Sequence, residues 1–244
     1  MNILIDGQTL HTREMHRGIG RYFLEVLKRL SDGTREDRIF IATVEDAHIY
    51  GLGCKPPVML KAPVDAGADP DLKALQYRQG LQDMVSKEGI EVFWNPNPLM
   101  DNVLFPGRLE GCTSMATVHD LIPLKFPGQY LDRLESGAFD DYIDRLTRLP
   151  LLDGIIAVSK ATRDDLLRYT SVPEQKITVI YEGVDGMFFD RPSQTDADEV
   201  RYRYGLPRDF LFSFGGENFR KNNDNLIRSF AILKKKYSMN WRKN

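Results

Sequence analysis

Short apolar runs alternate with longer segments of helical periodicity through most of this sequence, and this alternation limits the fold more than any other feature. The predicted strands cover residues 3–5, 39–42, 58–60, 92–94, 115–118 and 154–158. Strands that alternate with helices build a parallel sheet with helices on both faces, the doubly wound α/β class. In this class ligands bind beyond the carboxyl ends of the strands, so the residues that follow each run are the first candidates for a site.

Three segments between these runs have helical patterns. The first has its apolar residues on one face, as an amphipathic helix does; they are Ile19, Tyr22, Phe23, Val26, Leu27 and Leu30. The second is predicted over residues 71–87. The third, over residues 129–149, is rich in acidic and basic residues, which predict a solvated face.

Gly18 and Gly20 stand where the first helix should begin. Backbone N–H groups at a helix start attract phosphate, although glycines there also serve simply to permit a turn, and the sequence leaves both interpretations open. A dinucleotide fingerprint fits poorly, because Phe23 stands where a small residue should let the helix approach the sheet. We therefore expect no NAD site.

His119 and Asp120 follow the apolar run 115–118, which places them at the carboxyl end of a predicted strand. A histidine here is a candidate for hydrogen bonding or proton handling, and the alternative is a structural role. We expect Asp120 to stabilise the turn. Trp94 begins the run WNPNP at another strand end, where it either edges a pocket or packs a proline-rich loop.

The segment 210–222, FLFSFGGENFRKN, predicts a strand, a tight turn and the start of a helix over residues 224–237. Gly215 and Gly216 would let an anion approach the backbone, and Arg220 and Lys221 carry charges suited to phosphate oxygens. The alternative is a solvated turn with two surface cations. The sequence pattern predicts a strand over residues 210–214.

Charge and composition exclude several classes of protein. The 33 Lys and Arg residues balance 35 Asp and Glu residues, a net charge of −2, which argues against nucleic acid as a partner. The N-terminal residues MNILIDG lack a targeting pattern, and no apolar stretch approaches the ~20 residues of a membrane helix, so we expect a cytoplasmic chain. Cys54 and Cys112 lack metal-ligand spacing.

Two Asp-x-Asp spellings raise the question of a metal site. They begin at Asp69 and Asp196, and neither ends an apolar strand that would aim both carboxylates at one ion. We interpret both as helix-start or linker residues and expect no metal site.

Several segments together resemble family 4 of the retaining glycosyltransferases, and the resemblance covers nearly the whole chain. They are IDGQTL with RGIGRYFLEVLKRL, ATVHDLIPLKFP, IIAVSKATRDDL with VPEQKITVIYEGVD, and the GG-x-x-x-R-K-N turn with NLIRSFAIL. The resemblance implies a GT-B fold of two facing Rossmann-like domains. It also implies a nucleotide-sugar bound mainly to the second domain, an acceptor bound to the first, and transfer with retention.

The resemblance assigns roles to the candidate residues. In the family an Arg-Lys pair, matching Arg220 and Lys221, holds the donor diphosphate, and a histidine matching His119 contacts the donor sugar. The family's glycine loop, matching Gly18 and Gly20, lines the cleft near donor and acceptor. No cofactor besides the nucleotide-sugar substrate is implied. Glu182 departs from the pattern, because many relatives have Asn at this position.

The resemblance also predicts the domain organisation. Residues 1–190 form the Rossmann-like acceptor-side domain, residues 191–208 a linker with a short helix over 200–205, and residues 209–244 the first strand and helix of a truncated donor domain. The family's later acidic pair, which grips the ribose and the sugar, has no counterpart in the chain. We expect little independent turnover.

Three functions remain open at this point. The first is a metal-independent hexosyltransferase acting on a carbohydrate or lipid-linked acceptor in glycan or polysaccharide synthesis. The second is a non-catalytic acceptor-binding or partner-binding module that works with a separate donor-domain chain. The third, an epimerase or phosphorylase with similar domains, fits the His-Asp and Arg-Lys segments less well. Peripheral membrane association, a homo-oligomer and a donor-domain partner bound through an exposed C-terminal helix also remain open.

Overall fold

The computed structural model describes residues 1–33, 36–46, 56–101, 103–133, 136–207, 210–214, 216 and 218–236. Gly215 and Cys54, two residues considered above, lie outside this part of the chain. The chain divides into two compact units, Met1–Gly183 and Val184–Asn244.

The first unit contains a seven-stranded sheet, counted over the described residues. Its strands are β1 (Asn2–Asp6), β2 (Arg38–Thr43), β3 (Val58–Lys61), β4 (Val92–Asn95), β5 (Thr113–Val118), β6 (Gly154–Ala157) and β7 (Ile177–Val179). The order is β3-β2-β1-β4-β5-β6-β7, and every neighbouring pair is parallel. The predicted doubly wound parallel sheet is confirmed.

Five helices accompany this sheet in the described part of the first unit. They are α1 (Gly18–Asp32), α2 (Pro70–Glu88), α3 (Ile122–Lys125), α4 (Ser136–Arg148) and α5 (Lys160–Tyr169). The predicted helix over 129–149 begins later than expected, because 3₁₀ turns occupy Pro127–Gln129 and Leu131–Arg133. Pro127 and Gly128 favour turns over a continuous helix, which explains the difference.

The sheet is buried on both faces, so its strands are apolar in consecutive positions. Ile5 of β1 packs with Phe23 of α1 on one face, whereas Leu4 packs with Tyr77 and Leu81 of α2 on the other. All five side chains have no exposed surface. Burying each large apolar side chain contributes about 1.5–3 kcal/mol, which fixes α1 and α2 on opposite faces.

The second unit contains two helices among its described residues, α6 (Gln194–Tyr204) and α7 (Asn223–Lys236). Helix α6 fills most of the predicted linker and begins before the short helix expected over 200–205. Ser193 and Asp196 form a reciprocal capping box at its start, so of the two roles considered for Asp196 it has the helix-start one.

The predicted strand over residues 210–214 is wrong, because these residues have no strand structure. Phe212 is 73% exposed and Phe214 is 82% exposed. A strand exists through pairing with a neighbour, and the described residues of this unit supply no second strand. None of the helices in the described ranges combines the length and apolar character that a membrane crossing requires.

Candidate functional site

The carboxyl ends of β1, β4 and β5 lie side by side in the sheet, and they carry the polar residues of the candidate site. The chain builds outward from β1 through β2 to β3, then crosses to β4 on the other side of β1. This reversal of strand order opens a crevice at the carboxyl ends, where doubly wound folds bind ligands. Asp6 ends β1, Asn95 ends β4, and His119 follows β5.

The His119 ring is held at both nitrogens. Its Nδ1 lies 3.1 Å from the Glu182 Oε1 atom, and its Nε2 lies 3.1 Å from the main-chain oxygen of Pro96. The ring is only 11% exposed, and the Thr162 hydroxyl donates to the His119 carbonyl at 2.9 Å. Both partners of the ring are oxygen acceptors, and a neutral imidazole donates to only one of them at a time.

Aromatic side chains pack around the ring. Tyr22 of α1 meets His119 edge-to-face, with ring centroids 5.0 Å apart. The Tyr22 hydroxyl lies 3.2 Å from the Thr117 hydroxyl, to which the Trp94 indole N–H donates at 3.0 Å. Burial raises the pKa of Tyr22, and the nearby Glu182 charge raises it further while the Thr117 hydrogen bond lowers it. Because Trp94 is buried and its indole N–H binds Thr117, it supports the site rather than forming an exposed pocket edge.

A buried carboxyl lies at the end of β1. Asp6 is 4% exposed and accepts hydrogen bonds from the Gln8 backbone and side-chain amides and from the Asn95 amide at 3.1 Å. Burial raises the pKa of Asp6 to about 6, although the Gln8 hydrogen bonds and the positive charge of Arg145 oppose this rise. The Asn95 side chain also accepts from the Asn97 N–H at 2.9 Å, which fixes the loop that carries Pro96.

The two glycines at the start of α1 differ in their surroundings. A Cβ atom on Gly20 would lie 2.3 Å from the Met15 carbonyl oxygen, whereas one on Gly18 would meet nothing within 4 Å. Gly20 therefore permits close packing of the helix start on the preceding 3₁₀ turn, Arg13–His16. Gly18 is exposed at the first residue of the helix that brings Tyr22 to His119.

Four polar residues stabilise a turn or a helix start, as the sequence indicated for Asp69, Asp120 and Asp196. The Asp120 carboxylate accepts from the Ile122 N–H at 3.0 Å, and the Ser159 hydroxyl caps α5 by accepting from the Thr162 N–H at 3.0 Å. Asp69 caps α2 and Asp196 belongs to the capping box of α6. Among the described residues, no cluster of three or more His, Cys, Asp or Glu side chains could hold a metal ion.

The other predicted site residues share one turn of the second unit. Arg220 and Lys221 are exposed in a 3₁₀ turn, Phe219–Lys221, which directly precedes α7. The Asn222 backbone is left-handed, with φ of 52°, and the Asn223 amide donates to the Gly216 carbonyl at 2.8 Å. These contacts close the turn and place both cations near the N-terminus of α7.

The structure thus groups His119 with Tyr22 and Glu182 in the first unit, and Gly216 with the two cations in the second. Sequence reasoning missed Tyr22 as a site residue because its spacing made it one of several apolar residues on α1. It singled out Glu182 as a departure without assigning it a partner. Pro96 was missed because a main-chain oxygen leaves no signal in sequence.

Comparisons with known proteins identify the family of the chain and its fold. The model of a family described as Glycosyltransferase Family 4 matches residues 16–186. The serotype-specific mannosyltransferase WbdA of Escherichia coli is 26% identical over 122 residues, which cover 49% of this chain and 15% of WbdA.

Two solved structures share the fold. WaaG, a glycosyltransferase involved in lipopolysaccharide biosynthesis, aligns with a TM-score of 0.60 and 12% identity over 95% of this chain and 59% of WaaG. Anabaena HepE, solved in complex with UDP-glucose, aligns with a TM-score of 0.52 and 12% identity over 86% of this chain and 51% of HepE. The chain therefore spans little more than half the length of these structures.

The family model includes the strand ends that carry Asn95 and His119, and also Glu182. The likeness to WaaG and HepE shows that the first unit has the Rossmann-like fold of a GT-B glycosyltransferase lobe. Because the matched segment covers more than half of the chain, this protein belongs to Glycosyltransferase Family 4.

Proposed function

We propose that this protein transfers a sugar from a nucleotide-sugar donor to a carbohydrate or lipid-linked acceptor in glycan or polysaccharide synthesis. The transfer retains the anomeric configuration and uses no metal ion. Family membership supports the reaction class, and the UDP-glucose bound to HepE supports the donor class. One observation carries the proposal: His119 is nearly buried, has oxygen atoms 3.1 Å from both ring nitrogens, and lies at the carboxyl ends of the strands, where this fold binds ligands.

The chemistry assigns separate tasks to the two units. A nucleoside diphosphate leaves with negative charge while positive character develops on the sugar. Arg220 and Lys221, exposed beside the N-terminus of α7, stabilise the departing diphosphate. His119 orients the sugar so that the acceptor hydroxyl is aligned for attack. Gly18 leaves the first turn of α1 open for contact with a ligand.

Calorimetric titration of the chain with UDP, GDP and ADP, and with their sugar conjugates, tests the donor site. A charge-assisted hydrogen bond to phosphate contributes about 1.5–3 kcal/mol. Replacing Arg220 or Lys221 by Ala should therefore weaken nucleotide binding roughly 10- to 100-fold. Arg228→Ala is the matched control, because Arg228 is an exposed cation on α7, away from this turn.

The proposal fails if the chain binds none of these nucleotides, or if Arg228→Ala weakens binding as much as the two test variants do. A second measurement addresses the sugar. We expect His119→Gln to retain nucleotide binding while losing most of the transfer that radiolabelled donor reports. Equal transfer by parent and variant would exclude a role for His119 at the sugar.

A second candidate function is a non-catalytic partner-binding module that works with a separate donor-domain chain. The specific observation is that Leu211, Phe212 and Phe214 are each more than 60% exposed, and that Ile227 and Ile232 of α7 are 65% and 67% exposed. Apolar surface of this kind is typical of protein interfaces. Transfer by the chain alone would argue against this candidate, whereas transfer only after a separate donor-domain polypeptide is added would support it.

A further inference from the structure

Glu182, which stands where many relatives have Asn, contacts His119 in the structure. Its carboxylate reaches the His119 Nδ1 atom at 3.1 Å from a position beyond β7, 63 residues along the chain. The Glu182 side chain is 49% exposed, whereas the His119 side chain is 11% exposed. The pair therefore joins a solvated carboxylate to a nearly buried ring.

The other polar groups around the ring are already occupied. The Asp120 carboxylate, next to His119 in the chain, binds the Ile122 N–H at 3.0 Å. The Tyr22 hydroxyl on α1 pairs with Thr117 and offers only its ring to His119. The Thr162 hydroxyl on α5 binds the His119 main chain. Among these neighbours, Glu182 supplies the carboxylate that contacts the imidazole.

The two ring nitrogens contact different kinds of oxygen. Pro96 provides a carbonyl oxygen to Nε2, and Glu182 provides a carboxylate oxygen to Nδ1. Both oxygens only accept hydrogen bonds, so they compete for the single N–H of a neutral ring, and the charged carboxylate is the stronger acceptor and favours the proton on Nδ1. An amide in its place both donates and accepts, and it would remove that preference.

We propose that Glu182 is a positioning residue that holds His119 with a protonated Nδ1 and a fixed ring plane. This inference rests on the proposed sugar transfer, in which His119 orients the donor sugar. The Glu182 side chain is half exposed, and a contact in such a solvated position contributes little to stability. Removing the carboxylate therefore changes the ring while leaving the fold intact.

The first test observes the ring directly and needs no turnover. The 244-residue chain is labelled with ¹⁵N-histidine, and the ring signals of His119, one of four histidines, are assigned by comparison with His119→Gln. At one fixed neutral pH we expect a protonated Nδ1 in the parent and a shift of its ¹⁵N signal toward the unprotonated position in Glu182→Gln. Glu174→Gln is the matched control, because it removes a carboxylate paired with Arg163 at the surface.

The second test measures transfer with saturating acceptor. Glu182→Gln should lower kcat by up to roughly 100-fold, the effect of misplacing a group at the reacting centre, while the donor KM changes much less. Unchanged His119 ring signals in Glu182→Gln overturn the proposal, and so does an unchanged kcat. If the parent binds no nucleotide and transfers no sugar, the proposed function fails, and the ring spectrum alone still decides whether Glu182 holds His119.

Discussion

The buried Asp6 carboxyl should leave a measurable signature in the pH dependence of stability. Its pKa is raised from 3.8 to about 6 by burial, so the folded chain holds this proton more tightly than the unfolded chain does. The unfolding free energy that neutral Asp6 contributes is fully present at low pH, and it is lost as the pH rises from about 4 through about 6. A rise of this size corresponds to about 3 kcal/mol of unfolding free energy.

Asp6→Asn removes the titration and nearly preserves the shape of the side chain. Urea unfolding is followed by the fluorescence of Trp94, in a Trp241→Phe background that leaves one tryptophan in the chain. The variant's stability at any one pH is not the test, because the new amide faces the Asn95 amide and loses a hydrogen bond. The test is how the difference in unfolding free energy between parent and variant changes from about pH 3 to pH 7.

We expect this difference to shift by about 3 kcal/mol against the parent over that range, most of it between about pH 4 and pH 6. Other carboxyls titrate in the same range, and they cancel because both proteins contain them. Asp71→Asn makes the same chemical change at an exposed position in the first turn of α2 and should shift the difference far less. Parallel stability curves for the parent and Asp6→Asn would refute the assignment of a buried, raised carboxyl.

Three further predictions concern packing and caps, each measured as a change in unfolding free energy from urea melts. Gly20→Ala should lower the unfolding free energy by about 1–3 kcal/mol, because the new Cβ would overlap Met15 backbone atoms. Gly18→Ala should be neutral or stabilising by up to about 1 kcal/mol, because nothing lies near its Cβ position. Equal effects of the two substitutions would contradict the packing argument. Ser159→Ala should cost about 1 kcal/mol through loss of the α5 cap, and an unchanged melt would show that the cap is dispensable. Arg145→Met should cost about 3–5 kcal/mol, with only partial recovery in Arg145→Lys, and full recovery by Lys would disprove a need for the guanidinium fork.

Arg145 also shows where sequence patterns fail. The charged segment over 129–149 predicted a solvated face, but Arg145 is 4% exposed. Its guanidinium donates to the carbonyls of Pro98, Met100 and Val103 and pairs with Asp141 at 2.6 Å. Charge on a helix indicates solvent only when no neighbouring loop presents unpaired carbonyls, and a single sequence does not reveal that loop.

The sheet was predictable because a strand buried on both faces needs consecutive apolar residues, and residues 3–5 and 115–118 have them. The same apolar signal at residues 210–214 predicted a strand that is absent, since pairing depends on a partner that local sequence does not contain. His119 was predictable from its position at a strand end. Its partner Glu182 was not predictable. The strand order places the carboxyl ends of β5 and β7 at the same end of the sheet, one strand apart, and this order is a property of the whole fold.

The position of His119 is set from the interior of the first unit as well as from its surface. The Asp6 carboxyl binds the Asn95 amide, and the Asn95 side chain binds the Asn97 backbone, so the intervening Pro96 carbonyl is held between two fixed points. That carbonyl oxygen lies 3.1 Å from the His119 Nε2 atom, and the other ring nitrogen, Nδ1, lies 3.1 Å from Glu182. A change at Asp6 should therefore alter the ring indirectly, through the loop that carries Pro96, and a change at Glu182 should alter it directly, through Nδ1. The two carboxyl groups thus act on one imidazole, the buried one through a loop and the half-exposed one by contact.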